Sequence, residues 1–103
     1  MIKTHELIEI EKIKKIANTG GYALIKADSI NVTPLQTQGE DITLEEAQQA
    51  VNGYVEIIYL TKKLIMLVNE EGRLYGLPNN PLASAIVGSS IVGDVIICNV
   101  DKF

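Results

Sequence analysis

Length, composition and charge restrict this chain to a small set of protein classes. Its 103 residues, 47% of them apolar and 21% charged, can fill one hydrophobic core but leave no room for a second, so we predict a single domain over residues 1–103. The formal net charge of −4, with no cluster of basic residues larger than Lys12, Lys14 and Lys15, excludes generic binding to nucleic acid.

The first predicted element is an amphipathic helix over residues 5–17. Apolar side chains recur at nearly helical spacing along one side of this segment, at Leu7, Ile10, Ile13, Ile16 and Ala17. A shorter alternation over residues 7–11 makes a strand the weaker alternative. The sequence Asn18-Thr19-Gly20-Gly21 ends the helix, and we treat residues 1–20 as a helical N-terminal extension.

A hairpin and a second helix are predicted next. Residues 22–27 indicate a strand, Asp28-Ser29 a turn, and residues 30–32 the start of the returning strand. Further along, Thr43 followed three residues later by Glu46 is a capping box that opens a helix reaching about Val51. Asn52-Gly53 then ends this helix, because both residue types tolerate a positive φ.

Residues 54–68 form the most apolar stretch and predict an antiparallel hairpin that turns at residues 61–63. Side-chain alternation in the first strand places three residues on one face, namely Val55, Ile57 and Tyr59. It places four on the other face, namely Tyr54, Glu56, Ile58 and Leu60. Since both faces carry apolar side chains, both need cover.

The last third of the chain predicts a turn at residues 69–72, a short strand at 73–76, a helix beginning at Asn80-Pro81 and a final strand at 94–100. The complete order is helix, two strands, helix, three strands, helix, strand. This order indicates an α+β fold: one antiparallel sheet of about five to six strands with two or three short helices packed against it.

Few residues could carry covalent chemistry. Cys98 is the single cysteine and lies in an apolar run, so we predict a buried and inert thiol and no disulfide within the chain. His5 is the single histidine and lies close to the first residue, where we expect exposure. Because no nucleophile and base can be paired, we predict a protein that is not an enzyme and has no catalytic residue, metal site or cofactor.

Four short motifs follow one another in the second half of the chain. They are Gly53-Tyr54-Val55-Glu56, Asn69-Glu70-Glu71-Gly72, Leu77-Pro78-Asn79-Asn80 and Ile91-Val92-Gly93. In this order they resemble a family of short domains of unknown function common in phages and mobile elements, whose members read G-Y-x-E, N-E-E-G, L-P-x-N and I-x-G. The resemblance spans residues 43–100. Each motif also has a purely structural interpretation as a cap, a turn in which Gly72 supplies a positive φ, or a bend.

We predict that five residues from these motifs and their surroundings converge on one polar ligand-binding site: Tyr54, Glu56, Asn69, Arg73 and Asn80. Glu56 is an acid within an apolar strand, so its carboxylate must face solvent, a partner group or a ligand. Arg73 is the only arginine; we favour an ion pair with Glu56, and the alternative is the binding of a phosphate or carboxylate.

The resemblance implies a non-catalytic accessory protein of a phage or mobile element that binds a host protein or sequesters a small nucleotide-type signal, as a counter-defence. The alternative is a structural homo-oligomeric assembly module without a small-molecule ligand. Because the hairpin is apolar on both faces, we also expect a homodimer or higher oligomer. The chain has no run of 18 apolar residues, and residues 1–6 do not resemble a signal peptide, which predicts a cytoplasmic location without a membrane partner.

Overall fold

A computed structural model describes residues 4–29 and 31–103, and over these residues the chain forms one five-stranded sheet and three α-helices. The elements in chain order are α1 (Thr4–Asn18), β1 (Ala23–Ile25), β2 (Val32–Pro34), α2 (Leu44–Val51), β3 (Val55–Tyr59), β4 (Leu64–Asn69), α3 (Pro81–Val87) and β5 (Val95–Asn99). A 3-10 turn, Val100–Lys102, follows β5. The predicted α+β fold is confirmed. The expectations for residues 1–3, for Ile30 and for the side chain of His5 lie outside the described part of the chain.

The sheet is antiparallel throughout, with the strand order β2-β1-β5-β4-β3. The predicted hairpin of residues 54–68 is confirmed as β3 and β4, in which Val55 lies opposite Asn69 and Ile57 opposite Leu67. Strand β5 lies between the two hairpins, and β2 and β3 are therefore the two edges of the sheet.

Both faces of the sheet are covered by helices. The face under α1 and α3 carries the larger buried cluster, made of Ile13, Ala23, Ile25, Val32, Met66, Val68, Leu82, Ala83, Val95 and Ile97. The face under α2 carries the second cluster, made of Tyr22, Ile42, Ala47, Ile65, Leu67, Ile96 and Cys98. The central strands β4 and β5 supply residues to both clusters, which explains why their sequences are continuously apolar.

The two short helices begin at the residues that their sequences predict. At the start of α2, the hydroxyl of Thr43 accepts from the backbone N–H of Glu46 (3.1 Å), and the carboxylate of Glu46 accepts from the N–H of Thr43 (2.9 Å). Asn80 caps α3 by accepting from the N–H of Ala83 (3.1 Å). These bonds satisfy N–H groups that have no partner within the helix, and each cap contributes about 1 kcal/mol.

The strand predicted over residues 73–76 is wrong, because residues 70–76 form a series of turns. Their backbone bonds are local: Tyr75 donates to Glu71, Gly76 to Arg73, and Leu77 to Gly72. Gly76 adopts a φ of 67°, a conformation that a strand residue does not have. The sheet consequently has five strands.

One acidic residue of α1 is buried rather than solvent-facing. Glu9 is 2% exposed, and its carboxylate accepts from the backbone N–H of Val32 at 2.7 Å and from Lys12 at 3.1 Å. The amphipathic pattern predicted for α1 therefore does not hold at Glu9, whose buried carboxylate joins the helix to the edge of β2.

Candidate functional site

The candidate site is a cavity of about 300 Å³ at the end of the β3–β4 hairpin, which we call the Glu56 cavity. Its walls come from the hairpin, from the turn segment 70–76 and from residues 90–92. Glu56 projects from β3 on the same face as Ile58, whereas Asn69 is the last residue of β4. The cavity lies where a regular hairpin gives way to turns.

The structure places three of the five predicted site residues together. Glu56, Asn69 and Arg73 line the Glu56 cavity, as the hairpin register predicted for the first two. Tyr54 lines a neighbouring cavity of about 340 Å³ together with Tyr75. Glu71 lines both cavities and so joins them, while Asn80 lines neither. The ligand-binding role of these residues stays a prediction.

Asn69 has a structural role that uses its whole amide group. It is 6% exposed, and its Nδ2 donates to the carbonyl oxygens of Val51 (2.9 Å) and Asn52 (3.0 Å). Its Oδ1 accepts from the N–H of Glu71 at 2.8 Å. Asn69 therefore connects the end of α2 to the beginning of the turn segment, and it contributes a wall to the Glu56 cavity.

Asn80 lies away from the cavity and is fully buried. Besides capping α3, it donates through Nδ2 to the carbonyl oxygens of Ile25 (3.1 Å) and Gly93 (2.9 Å). The residue thus ties the start of α3 to β1 and to the segment that precedes β5, and all its polar atoms have protein partners.

The expected ion pair between Glu56 and Arg73 is not present; the ion pairs found between described residues include Lys12–Glu9, Lys14–Glu11 and Lys102–Asp41. Instead, the guanidinium of Arg73 donates through Nη2 to the carbonyl oxygen of Ser90 at 2.7 Å. The ion-pair prediction assumed a strand at residues 73–76. Because this segment is a turn, Arg73 lies beside residues 90–92.

The glycines of the motifs are explained by close contacts. A Cβ atom on Gly53 would lie 2.7 Å from Nδ2 of Asn69, so the first two motifs meet at this point. A Cβ on Gly72 would lie 2.8 Å from Cγ2 of Val92, which joins the second motif to the fourth. The expectation of a positive φ at Gly72 is wrong, since among the described residues the positive values at glycine belong to Gly20, Gly76, Gly88 and Gly93.

The third and fourth motifs also meet, through two backbone hydrogen bonds. Asn80 donates to the carbonyl oxygen of Ile91 and Gly93 to that of Pro78, both at 2.8 Å. Gly93 has a φ of 81°, and a Cβ there would lie 2.8 Å from Leu77. The four motifs therefore build one continuous framework that holds the walls of the Glu56 cavity in place.

The charge around the cavity is predominantly negative. Three of the lining residues are glutamates, Glu56, Glu70 and Glu71, and the one basic lining residue is Arg73. Such a site favours a cationic group and disfavours a phosphate.

Exposed apolar side chains surround this charged centre. Tyr54, Leu74 and Tyr75 are 66%, 75% and 65% exposed. Sequence reasoning missed Leu74 because the segment 73–76 was predicted as a strand, and it missed Ser90 because a backbone carbonyl leaves no signal in the side chains. Glu71 was missed because an acidic residue in an N-E-E-G turn is expected on structural grounds and does not by itself indicate a binding site.

Two further findings concern the described residues only. In residues 4–29 and 31–103, no group of three or more histidine, cysteine, aspartate or glutamate side chains has the arrangement to hold a metal ion. Within the same ranges, none of the helices combines the length and the apolar character that crossing a bilayer requires.

Comparison with known protein families gives a match over most of the chain. The family model described as Domain of unknown function (DUF3846) matches residues 24–102, which is most of the chain and includes all four motifs. Helix α1 lies before the matched region. No curated protein and no solved structure matches.

Proposed function

We propose that this chain, which belongs to the DUF3846 family of domains of unknown function, is a non-catalytic protein-binding module whose Glu56 cavity accepts a basic side chain of a partner protein. The observation that carries this proposal is the composition of the cavity, whose lining includes three glutamates and one arginine. A Lys or Arg side chain of a partner would enter with its charge matched.

The same composition argues against the nucleotide alternative. A nucleotide phosphate needs cationic or N–H donors, and Arg73 already donates to the carbonyl of Ser90. The amide of Asn69 is also used, by Val51, Asn52 and Glu71. Phosphate binding here would bring a further negative group beside three glutamates, with one arginine to offset them.

The exposed side chains beside the cavity support a macromolecular partner. Tyrosine is enriched in protein interfaces because it contributes a large rigid surface with a polar end. Tyr54 and Tyr75 line the adjoining cavity, and Leu74 lines the Glu56 cavity itself. A charged centre with apolar surroundings has the arrangement of a hot spot, in which a buried anchor is protected from water by its neighbours.

The biological setting that we propose follows from the motif resemblance. The chain would serve a phage or mobile element as an accessory protein in the host cytoplasm, where binding a host protein opposes a defence system. This setting requires no cofactor and no chemistry by the chain itself.

Native mass spectrometry of the protein purified from its host cells tests the proposal, since it reports retained proteins and retained nucleotides together. We expect a bound protein that is lost or weakened by Glu56→Gln and Glu71→Gln, by roughly 10-fold or more for each charge-assisted contact. Glu40→Gln is the matched control, because Glu40 is exposed and does not line the cavity.

Two outcomes contradict the proposal. A retained nucleotide that Arg73→Ala releases would establish the signal-sequestering alternative. If Glu56→Ala and Arg73→Ala lower the thermal stability and leave every interaction intact, the cavity is structural and the binding function lies elsewhere.

A further inference from the structure

We propose that two copies of this chain form a symmetric dimer by pairing their β3 strands antiparallel, with Ile57 on the two-fold axis, so that two five-stranded sheets join into one. This inference goes beyond the binding function proposed above, because it concerns the backbone of the sheet edge; the two surfaces share Glu70 and Glu71 at one end. It rests on a difference between the two edges of the sheet.

The β2 edge is closed to further pairing. In the β1–β2 ladder, Leu24 lies opposite Thr33, and Leu35 donates to Tyr22, so the backbone groups of Thr33 and Leu35 face β1. Those of Val32 and Pro34 face outward. The N–H of Val32 is taken by the buried Glu9 carboxylate, and proline has no N–H. A strand that approached β2 would find no free donor at these two residues.

The β3 edge is open. The bonds that flank its ladder run from Glu70 N–H to Tyr54 and from Leu60 N–H to Leu64, so the even-numbered residues of β3 face β4. The backbone N–H and C=O groups of Val55, Ile57 and Tyr59 therefore point away from the sheet. Within the part of the chain that the structure describes, these groups have no partner. Proteins usually block such an edge with a proline, a charge or a covering element; β3 has no proline, and its one charged residue is Glu56.

Only one antiparallel register uses all three outward-facing residues of both copies. It pairs Ile57 with Ile57 of the second copy, and Val55 with Tyr59 of the second copy at each end. Each of these three pairs exchanges two backbone hydrogen bonds. Moving the register by two residues in one direction places Glu56 opposite its own equivalent, where like charges repel. Moving it in the other direction leaves Val55 opposite Thr61, outside the strand.

The side chains agree with this register. On the face that Val55, Ile57 and Tyr59 share, Ile57 is 37% and Tyr59 70% exposed in the single chain. Pairing would bring the two Ile57 side chains together. On each side of them, Val55 of one copy would contact Tyr59 of the other. Cross-strand pairs of these types stabilise antiparallel sheets.

Charge complementarity favours a second copy as the occupant of this edge. The Lys62-Lys63 turn lies at one end of β3, and Glu70 and Glu71 lie at the other, where Glu70 bonds to Tyr54. Antiparallel pairing places the basic end of each copy beside the acidic end of the other. Both ends of the interface then have opposite charges, which makes the dimer sensitive to salt.

A charge placed on the two-fold axis tests the surface. In Ile57→Lys the two new ammonium groups would face each other, so we expect a dissociation constant at least 10-fold higher than that of the unaltered protein. Thr33→Lys is the matched control, since Thr33 is an exposed residue on the closed β2 edge and its substitution leaves the dimer unchanged. Circular dichroism and a thermal melt confirm that both variants are folded.

A cysteine series tests the register. In Ile57→Cys the two Cα atoms would be about 5.5 Å apart across a hydrogen-bonded pair, which a disulfide can span. In Glu56→Cys and Ile58→Cys the equivalent atoms would be roughly 8 Å apart, from the strand spacing and the rise per residue, beyond the reach of a disulfide. Mild oxidation should therefore link the first variant alone. The native Cys98 is buried and does not compete.

Light scattering measures the mass in solution at protein concentrations from about 1 µM to about 1 mM. This concentration range suits a weak dimer, because the interface is smaller than the standard size of roughly 800 Å² per partner. A mass near 11.3 kDa throughout would overturn the proposal. So would a dimer that Ile57→Lys leaves intact, or a cysteine series in which Glu56→Cys or Ile58→Cys forms the disulfide instead. Binding of a partner protein by folded Ile57→Lys, measured separately, keeps failure of the dimer distinct from failure of the proposed binding function.

Discussion

Replacing Asn69 separates a structural role from a ligand-binding role at the centre of the candidate site. Asn69→Ala removes three hydrogen bonds at once, two to the end of α2 and one to the N–H of Glu71. The carbonyl oxygen of Val51 then lies in a largely buried position without its partner. Asn69→Asp keeps the side-chain shape and the oxygen that accepts from Glu71, but it places a second oxygen next to the carbonyl oxygens of Val51 and Asn52.

The expected magnitude follows from these contacts. A typical intramolecular hydrogen bond contributes about 1 kcal/mol net, so the loss of three lowers the free energy of unfolding by roughly 2–4 kcal/mol. This is a large part of the roughly 5–15 kcal/mol that stabilises a domain of this size. At about 4–8 °C per kcal/mol, the melting temperature should fall by roughly 8–32 °C.

Urea unfolding followed by circular dichroism measures this change, provided that the slope with denaturant stays constant. Asn79→Ala is the control: Asn79 is exposed, its side chain accepts only from Ser84 at 3.3 Å, and the expected change is within about 0.5 kcal/mol. If Asn69→Ala costs less than about 1 kcal/mol and abolishes partner binding, Asn69 is a ligand residue and the structural assignment is refuted.

Three further predictions follow from individual contacts. Gly53→Ala should destabilise the protein by roughly 1–3 kcal/mol, because the new Cβ would clash with the side chain of Asn69. In a double-mutant cycle this cost should largely disappear when Asn69 is already replaced by alanine, whereas additive effects would contradict the contact. Gly39→Ala is the control, because the space around Gly39 is open. Burial raises the pKa of Tyr22 above its ordinary 10.0, so the folded state holds the phenol proton more tightly than the unfolded state. The free energy of unfolding should therefore decline as the pH rises above 10.0. Unfolding measured against pH should lack this decline in Tyr22→Phe, which also loses the hydrogen bonds to Lys102 and Ile42. Burial raises the pKa of Cys98 to about 11, so thiol labelling of the native protein should proceed only at the rate of unfolding, and rapid labelling at neutral pH would show an open site.

The elements that sequence predicted correctly are those whose signals are local. The capping box of Thr43 and Glu46 starts α2 because both partners lie within one helical turn, and Asn80-Pro81 starts α3 for the same reason. The β3–β4 hairpin register follows from a short turn between two apolar runs, and it correctly placed Glu56 close to Asn69. A local pattern suffices wherever the interacting groups are near in sequence.

The candidate site was only partly predictable, since its walls depend on contacts between distant segments. Arg73 was expected to form an ion pair with Glu56; it lines the same cavity, but its guanidinium donates instead to the carbonyl of Ser90, 17 residues away. Asn80 was expected in the site, but its amide is used by Ile25 and Gly93. Asparagine in a motif is equally suited to a ligand and to a backbone carbonyl, and only the fold shows which it contacts.

Composition and periodicity by themselves determined the fold class, the β3–β4 hairpin and a buried Cys98, since each depends on burying apolar surface at a fixed spacing. They also determined the helix starts, since a capping residue finds its partner within a few residues. The tertiary structure alone decided that Glu9 is buried, because a carboxylate in a charged segment is identical in sequence whether it faces water or the N–H of Val32. It also decided which edges of the sheet are closed and open, since strand order arises from pairings such as that of β1 with β5, which lie at opposite ends of the chain. Pairing between distant segments leaves little trace in any local sequence pattern. The open β3 edge and the adjacent Glu56 cavity both result from such pairing.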